Sequence, residues 1–132
     1  MPDIDLRLHK DMLVLSAPVL PALQRLGVDV ERDAELTLLL EPDTYEDFYK
    51  MEAIAGAQCM VAGTGSFTSA RLTRVRMEER AADLVRLSLE AVSSVKPQHV
   101  LAEIGPCGLP LDPSSKASLN ENKDQYLSLI HI

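Results

Sequence analysis

Three short apolar runs, each stopped by glycine, proline or serine and separated from the next by a segment of helical periodicity, constrain this chain more than any other feature. Met12-Leu13-Val14-Leu15 leads into Ser16-Ala17-Pro18, and Cys59-Met60-Val61-Ala62 leads into Gly63-Thr64-Gly65-Ser66. Val100-Leu101-Ala102-Glu103-Ile104 leads into Gly105-Pro106. Continuous apolar runs of this length fit strands buried on both faces, which is the habit of parallel sheets. Strands that alternate with helices imply a parallel βα series.

The intervening segments carry the helices. Leu20, Leu23 and Leu26 recur at helical spacing, and Gly27 stands where a C-terminal cap is expected. Residues 29–35 are charged and read as a loop. Pro42, Asp43 and Glu46 resemble a capping signal, and Tyr45, Phe48, Met51 and Ala55 continue at steps of three and four, predicting a helix over about 43–55 that ends at Gly56. From Met77 the positions Ala81, Leu84, Val85, Ser88, Ala91, Val92 and Val95 mark one helical face, while Glu78, Glu79, Asp83, Arg86 and Glu90 form a solvated one. Residues 109–122, rich in Pro, Ser, Asn and Asp, predict a long loop. Ser118 and Glu121 form a capping box for a further helix that runs past Tyr126.

Composition bounds the function classes. With 132 residues, 46% of them hydrophobic and 25% charged, the chain is a single globular domain or a piece of a larger one. Its net charge of -7 has the wrong sign for a protein that neutralises phosphates, so nucleic acid is not an expected partner. No run approaches the roughly 20 apolar residues needed to span a bilayer, and the acidic start has no signal-peptide pattern. The two cysteines, Cys59 and Cys107, make no disulfide framework, which fits a cytoplasmic setting.

The last six residues, Leu127-Ser128-Leu129-Ile130-His131-Ile132, are what CTG TCT CTT ATA CAC ATC encodes, the transposase end used in preparing sequencing libraries. They are expected to be a non-native, adapter-derived tail, which makes residues 1–126 the front part of a longer protein.

The order of Leu23-Gln24-Arg25-Leu26-Gly27, Glu41-Pro42, Ala55-Gly56-Ala57, Arg71-Leu72 and Ile104-Gly105-Pro106-Cys107-Gly108 resembles the N-terminal part of the homocysteine S-methyltransferase family. That family includes the homocysteine-binding barrel of cobalamin-dependent methionine synthase and betaine-homocysteine methyltransferase. The resemblance covers about residues 11–126. It implies an α/β fold consisting of about three βα units of a truncated (β/α)8 TIM barrel, with its active site at the carboxyl ends of the strands. It also implies a methyltransferase that, when intact, transfers a methyl group to a homocysteine-like thiol, activated as the thiolate by zinc. The zinc ligands belong to strands beyond this segment, so neither Cys59 nor Cys107 is assigned to metal. Cobalamin or folate would enter as a cofactor of the intact protein, and S-methylmethionine, betaine and methylfolate are the donors represented among relatives.

On that resemblance Ser16, Thr64 and Glu103 line the acceptor pocket. The first strand is followed by Ser16-Ala17-Pro18-Val19-Leu20-Pro21 where the family has Asp-Gly-Ala-Met-Gly-Thr. The second runs through Val61-Ala62-Gly63-Thr64-Gly65 where the family has Glu-Thr-Asn-Thr-Phe. These departures motivate an alternative, a non-catalytic barrel that binds a partner such as a corrinoid protein. A nucleotide site is the weakest reading, because a dinucleotide fingerprint after Gly63 and Gly65 requires glycine at position 68, which is Thr68. Glu103 is either a pocket carboxylate or a structural ion-pair partner. Cys107 reads first as a small buried residue. His9 and His99 read as exposed or structural, and His131 falls in the tail.

Overall fold

The computed structural model describes residues 3–132 and is a mixed α/β fold. In chain order its elements are α1 (Ile4–Leu8), α2 (Val19–Arg25), α3 (Ala34–Leu40), α4 (Pro42–Ile54), β1 (Cys59–Ala62) and α5 (Ser69–Thr73). A 3-10 turn at Glu78–Arg80 leads into α6 (Ala81–Ser93), followed by β2 (His99–Ala102) and α7 (Lys116–Ile130). No helix among the described residues is long and apolar enough to cross a membrane.

β1 and β2 are parallel, with Cys59 opposite His99 and Ala62 opposite Ala102. The backbone of Cys59 points the other way. Its N–H donates to Val14 O at 3.0 Å, and its carbonyl accepts from Ser16 N at 2.8 Å. Residues 14–16 therefore flank β1 on the side opposite β2, and the order across the sheet follows the order along the chain. The expected first strand is reduced to a single parallel bridge, Leu15 to Cys59. Two physical reasons account for this. Met12, Val14 and Leu15 are 92%, 51% and 55% exposed, so little burial holds the run flat against the sheet. Where the ladder would continue, Val61 N donates to the Ser16 side-chain Oγ at 2.9 Å instead of to a strand carbonyl.

Side chains alternate across a strand, so Met60 and Ala62 share one face and Cys59 and Val61 the other. The core lies on the Met60 and Ala62 face. It joins Val19 and Leu23 of α2, Leu38 of α3, Tyr45 and Tyr49 of α4, and Leu84, Ala91 and Val92 of α6. The two crossover helices, α4 and α6, pack against each other and both cover this face. The helix at 81–93 was legible from its periodicity, since Leu84, Ser88, Ala91 and Val92 are its buried positions. Burying one leucine of this kind contributes roughly 1.5–3 kcal/mol.

Glycine ends two helices as the spacing predicts. After α2, Gly27 has φ +90°, its N–H reaches Gln24 O at 3.0 Å and Val28 N reaches Leu23 O at 3.1 Å. After α4, Gly56 at φ +105° repeats the arrangement with Ala53 and Glu52. Both are Schellman motifs, in which a left-handed residue lets the chain satisfy its last free carbonyls.

Four expectations are corrected. Ala34 and Glu35, expected as the end of the 29–35 loop, open α3 instead, because this helix buries Leu38 fully against the core. The buried face of α4 runs through Tyr45 and Tyr49 rather than the expected Tyr45, Phe48, Met51 and Ala55, and Met51 is 64% exposed. β2 ends at Ala102, which puts Glu103 just beyond the strand. α7 begins three residues earlier than the capping box suggested: Ser115 is its N-cap, with Oγ accepting from Ser118 N at 3.3 Å. Ser118 Oγ instead ties down the preceding loop, accepting from Asp112 N and donating to Pro110 O. α7 continues without a break to Ile130, and Leu129, within the expected tail, is buried.

Candidate functional site

All three parallel segments end at the same side of the molecule. There Pro18–Pro21, Gly63, Gly65, Ser66, Arg71, Glu103, Gly105 and Pro106 enclose a cleft of about 360 Å³. A cleft outside the carboxyl ends of parallel strands is where α/β folds place ligands, because the loops there diverge from the sheet and leave a crevice between them. Its size falls at the lower end of the range of small-molecule sites.

Close approaches of the backbone shape this cleft. A methyl group added at Gly105 would lie 2.7 Å from Gly65 O, and one at Gly63 would lie 2.7 Å from a methyl of Val19. A methyl at Gly65 would come within 3.0 Å of the Glu103 carboxyl carbon. Only at Gly105 is the contact with backbone, so there the loops after β1 and β2 touch through bare main chain, whereas Gly63 and Gly65 lie against the side chains of Val19 and Glu103. Gly105 N donates to Gly65 O at 3.2 Å, and this bond fastens the two loops together.

The expected pocket residues divide. Glu103 lies in the cleft wall, with its side chain against Gly65. Thr64 is buried and its Oγ1 donates to the Glu103 backbone oxygen at 2.7 Å, so it holds the loop that carries Glu103 without itself lining the cleft. Ser16 is likewise buried, its hydroxyl accepting from Val61 N. Ser16 and Thr64 are therefore within the strand ends beneath the cleft, and Glu103 is at its surface.

Three residues that had no assigned role come into view. Ser66 lies in the cleft wall and donates its hydroxyl to Glu35 Oε1 at 3.1 Å. Glu35 sits on α3, is 7% exposed, and its Oε2 has no hydrogen-bond partner. Arg71, on α5, lines the same cleft. The signal for Ser66 and Arg71 in the sequence is position alone: Ser66 closes the glycine loop after β1, and Arg71 lies in the short helix that follows it. Nothing local marked Glu35, which reaches the site only because α3 folds back on α6 and α4.

The buried tyrosines feel these carboxylates. Burial pushes the Tyr49 hydroxyl up to about 12, a backbone bond from Gly63 pulls it down, and the charge of Glu103 raises it again. Tyr49 donates to Val61 O at 2.8 Å. Burial, with Glu35 and Tyr49 adding to it, also raises Tyr45, which donates to Ala34 O at 3.0 Å. Both hydroxyls remain protonated donors near neutrality and act as braces for α3 and β1.

The remaining candidates lie elsewhere. Cys107 is buried, and its thiol donates to Asn122 Oδ1 at 3.0 Å. Cys59 is fully buried in β1. His99 is buried at the amino end of β2, where Arg7 of α1 reaches it and Gln98. His9 is exposed beside Asp5 O. Among the described residues no group of three or more His, Cys, Asp or Glu side chains is placed to hold a metal ion. Cys59 and Cys107, both buried, do not fit a zinc centre. Comparison with protein-family models, with curated proteins and with solved structures gave no match to this chain.

Proposed function

We propose that the chain forms the first three βα units of a (β/α)8 barrel, and that its cleft receives a small amino-acid thiol of the homocysteine type. In the intact protein this thiol would accept a methyl group. The observation that carries the reading is the cleft itself: it opens at the carboxyl ends of three parallel segments ordered as in the chain, with Glu103 in its wall. Crossover helices on one face of the sheet are what a barrel requires, because its strands curl around the other face. A carboxylate at the cleft surface supplies a charged acceptor for a ligand ammonium group.

Isothermal titration of the full chain with homocysteine tests this. We expect uptake by the wild type and about a tenfold loss in Glu103→Gln, the size of one charge-assisted hydrogen bond. No uptake by the wild type, or undiminished affinity in the variant, refutes the reading. The alternative, a barrel that binds a corrinoid-type partner without thiol chemistry, is favoured by one observation: Ser16 and Thr64 are buried, bonded within the protein, and do not line the cleft. It predicts that homocysteine is ignored.

A further inference from the structure

We infer that Arg71 makes one wall of the cleft a carboxylate-recognition subsite, so that the ligand is selected by a carboxylate and not only by an amine or a thiol. This deepens the proposed function and rests on the cleft assigned there.

Arg71 is half-buried on α5, and among the described residues its guanidinium makes no ion pair and no hydrogen bond. The other arginines with partners, Arg7, Arg32, Arg80 and Arg86, all pair with nearby carboxylates. A guanidinium partly removed from water without a partner is costly to hold, and a planar fork of donors is matched best by a carboxylate.

A second observation comes from behind the wall. A chamber of about 50 Å³ adjoins the cleft, and Leu20, Ser66 and Arg71 line both. Glu35 lies in that chamber with Oε2 unpartnered, while its Oε1 accepts from Ser66. Glu35 and Arg71 thus line the same chamber, yet among the described residues no ion pair joins them, and the guanidinium is left free for a ligand. Engaging Glu35 Oε1 fixes the direction of the Ser66 O–H, which leaves the oxygen lone pairs of Ser66, and not its proton, for the cleft. A ligand carboxylate thus has Arg71 as its donor. Glu103, also in the cleft wall, repels it and accepts the ligand's ammonium end instead.

The test uses three probes on the full chain at low salt: 4-mercaptobutyrate, butyrate and cysteamine, followed by isothermal titration or ligand-observed NMR. The expected result is that 4-mercaptobutyrate binds and cysteamine binds at least tenfold more weakly. Arg71→Met should lower the 4-mercaptobutyrate affinity about tenfold or more, and Arg71→Lys should restore part of it. Arg25→Met removes the same charge from an exposed position on α2 that lines neither the cleft nor the chamber, and should change affinity less than twofold. Circular dichroism establishes that each variant is folded. Equal affinity in folded Arg71→Met, equal losses in the Arg71 and Arg25 variants, or a wild type that takes up neither carboxylate overturns the inference. Butyrate binding as well as 4-mercaptobutyrate upholds the subsite and removes the thiol from the proposed function. Cysteamine binding as well as 4-mercaptobutyrate does the reverse.

Discussion

Replacing Gly105 by alanine examines the contact that shapes the cleft. The added methyl would stand 2.7 Å from Gly65 O, and that oxygen already accepts the N–H of Gly105 at 3.2 Å. Relaxed carbon-to-oxygen contact needs roughly half an ångström more, so the two loops must part. They part by opening the backbone bond between them, while the bond from Thr64 Oγ1 to Glu103 O still ties the loops at their base. Overpacking of this kind costs about 1–3 kcal/mol, and the net value of the bond is about 0.5–1.5 kcal/mol. Gly105 is only half-buried, so water can replace part of the lost bond. The two losses therefore overlap, and we expect about 1.5–2 kcal/mol in total. With a urea dependence of about 2 kcal/mol per molar, the midpoint should fall by about 0.7–1 M at unchanged slope. Gly56→Ala is the control. It meets no atom within 4 Å but must adopt φ +105°, so it loses stability through conformation alone, by about 1–2 kcal/mol. Only the Gly105 variant should also weaken ligand uptake. A Gly105→Ala protein with the wild-type urea midpoint would refute the claim that these loops meet through bare backbone.

Two further outcomes follow from the core. Because the Tyr49 hydroxyl is raised to about 12 in the fold against 10.0 when free, the unfolded state releases its proton first. The associated stability is complete below pH 10 and declines between pH 10 and 12, and Tyr45 adds to the decline with the same sign. Tyr49→Phe should cost about 1 kcal/mol at neutral pH by depriving Val61 O of its donor, and should flatten that alkaline loss. Urea midpoints measured from pH 7 to 11 that decline identically in both proteins would contradict this. Leu84→Ala, at a fully buried position of α6, should cost about 2–5 kcal/mol, and a loss below 1 kcal/mol would show that α6 does not close the core.

What the sequence made legible was whatever a local repeat could encode. α6 shows its apolar stripe outright, and β1 with its glycine loop lies where the second apolar run predicted. Gly27 and Gly56 end their helices for a reason written in the single residue. The misplacements came where a distant partner decided the outcome. Leu38 becomes helical core because α6 and α4 cover it, against the charged residues preceding it. Met12–Leu15 has the composition of a buried strand, yet only its last residue finds a bridge, since no neighbour covers the run. Of the cleft, Glu103 was visible as a carboxylate at the end of an apolar run. Ser66 and Arg71 were visible as residues but not as a wall, and Glu35 is brought to them from 31 positions away from Ser66. Such pairings have no period and no motif.

Gln58 gives the sheet a further property. Its N–H donates to Val14 O, its side-chain oxygen accepts from Val14 N, and its carbonyl accepts from Gln98 N and His99 N. One residue at the entrance of β1 thus clamps the starts of both neighbouring segments. Its two partners lie 44 positions before it and about 40 after it, so ordering this residue closes two loops at an entropic cost of about 3 kcal/mol each. Parallel pairing offers little local return against that cost, whereas α4 and α6 can form from contacts within a few turns. The helices supply the buried surface, and the register of the sheet is settled where three sites far apart in the chain meet at a single glutamine.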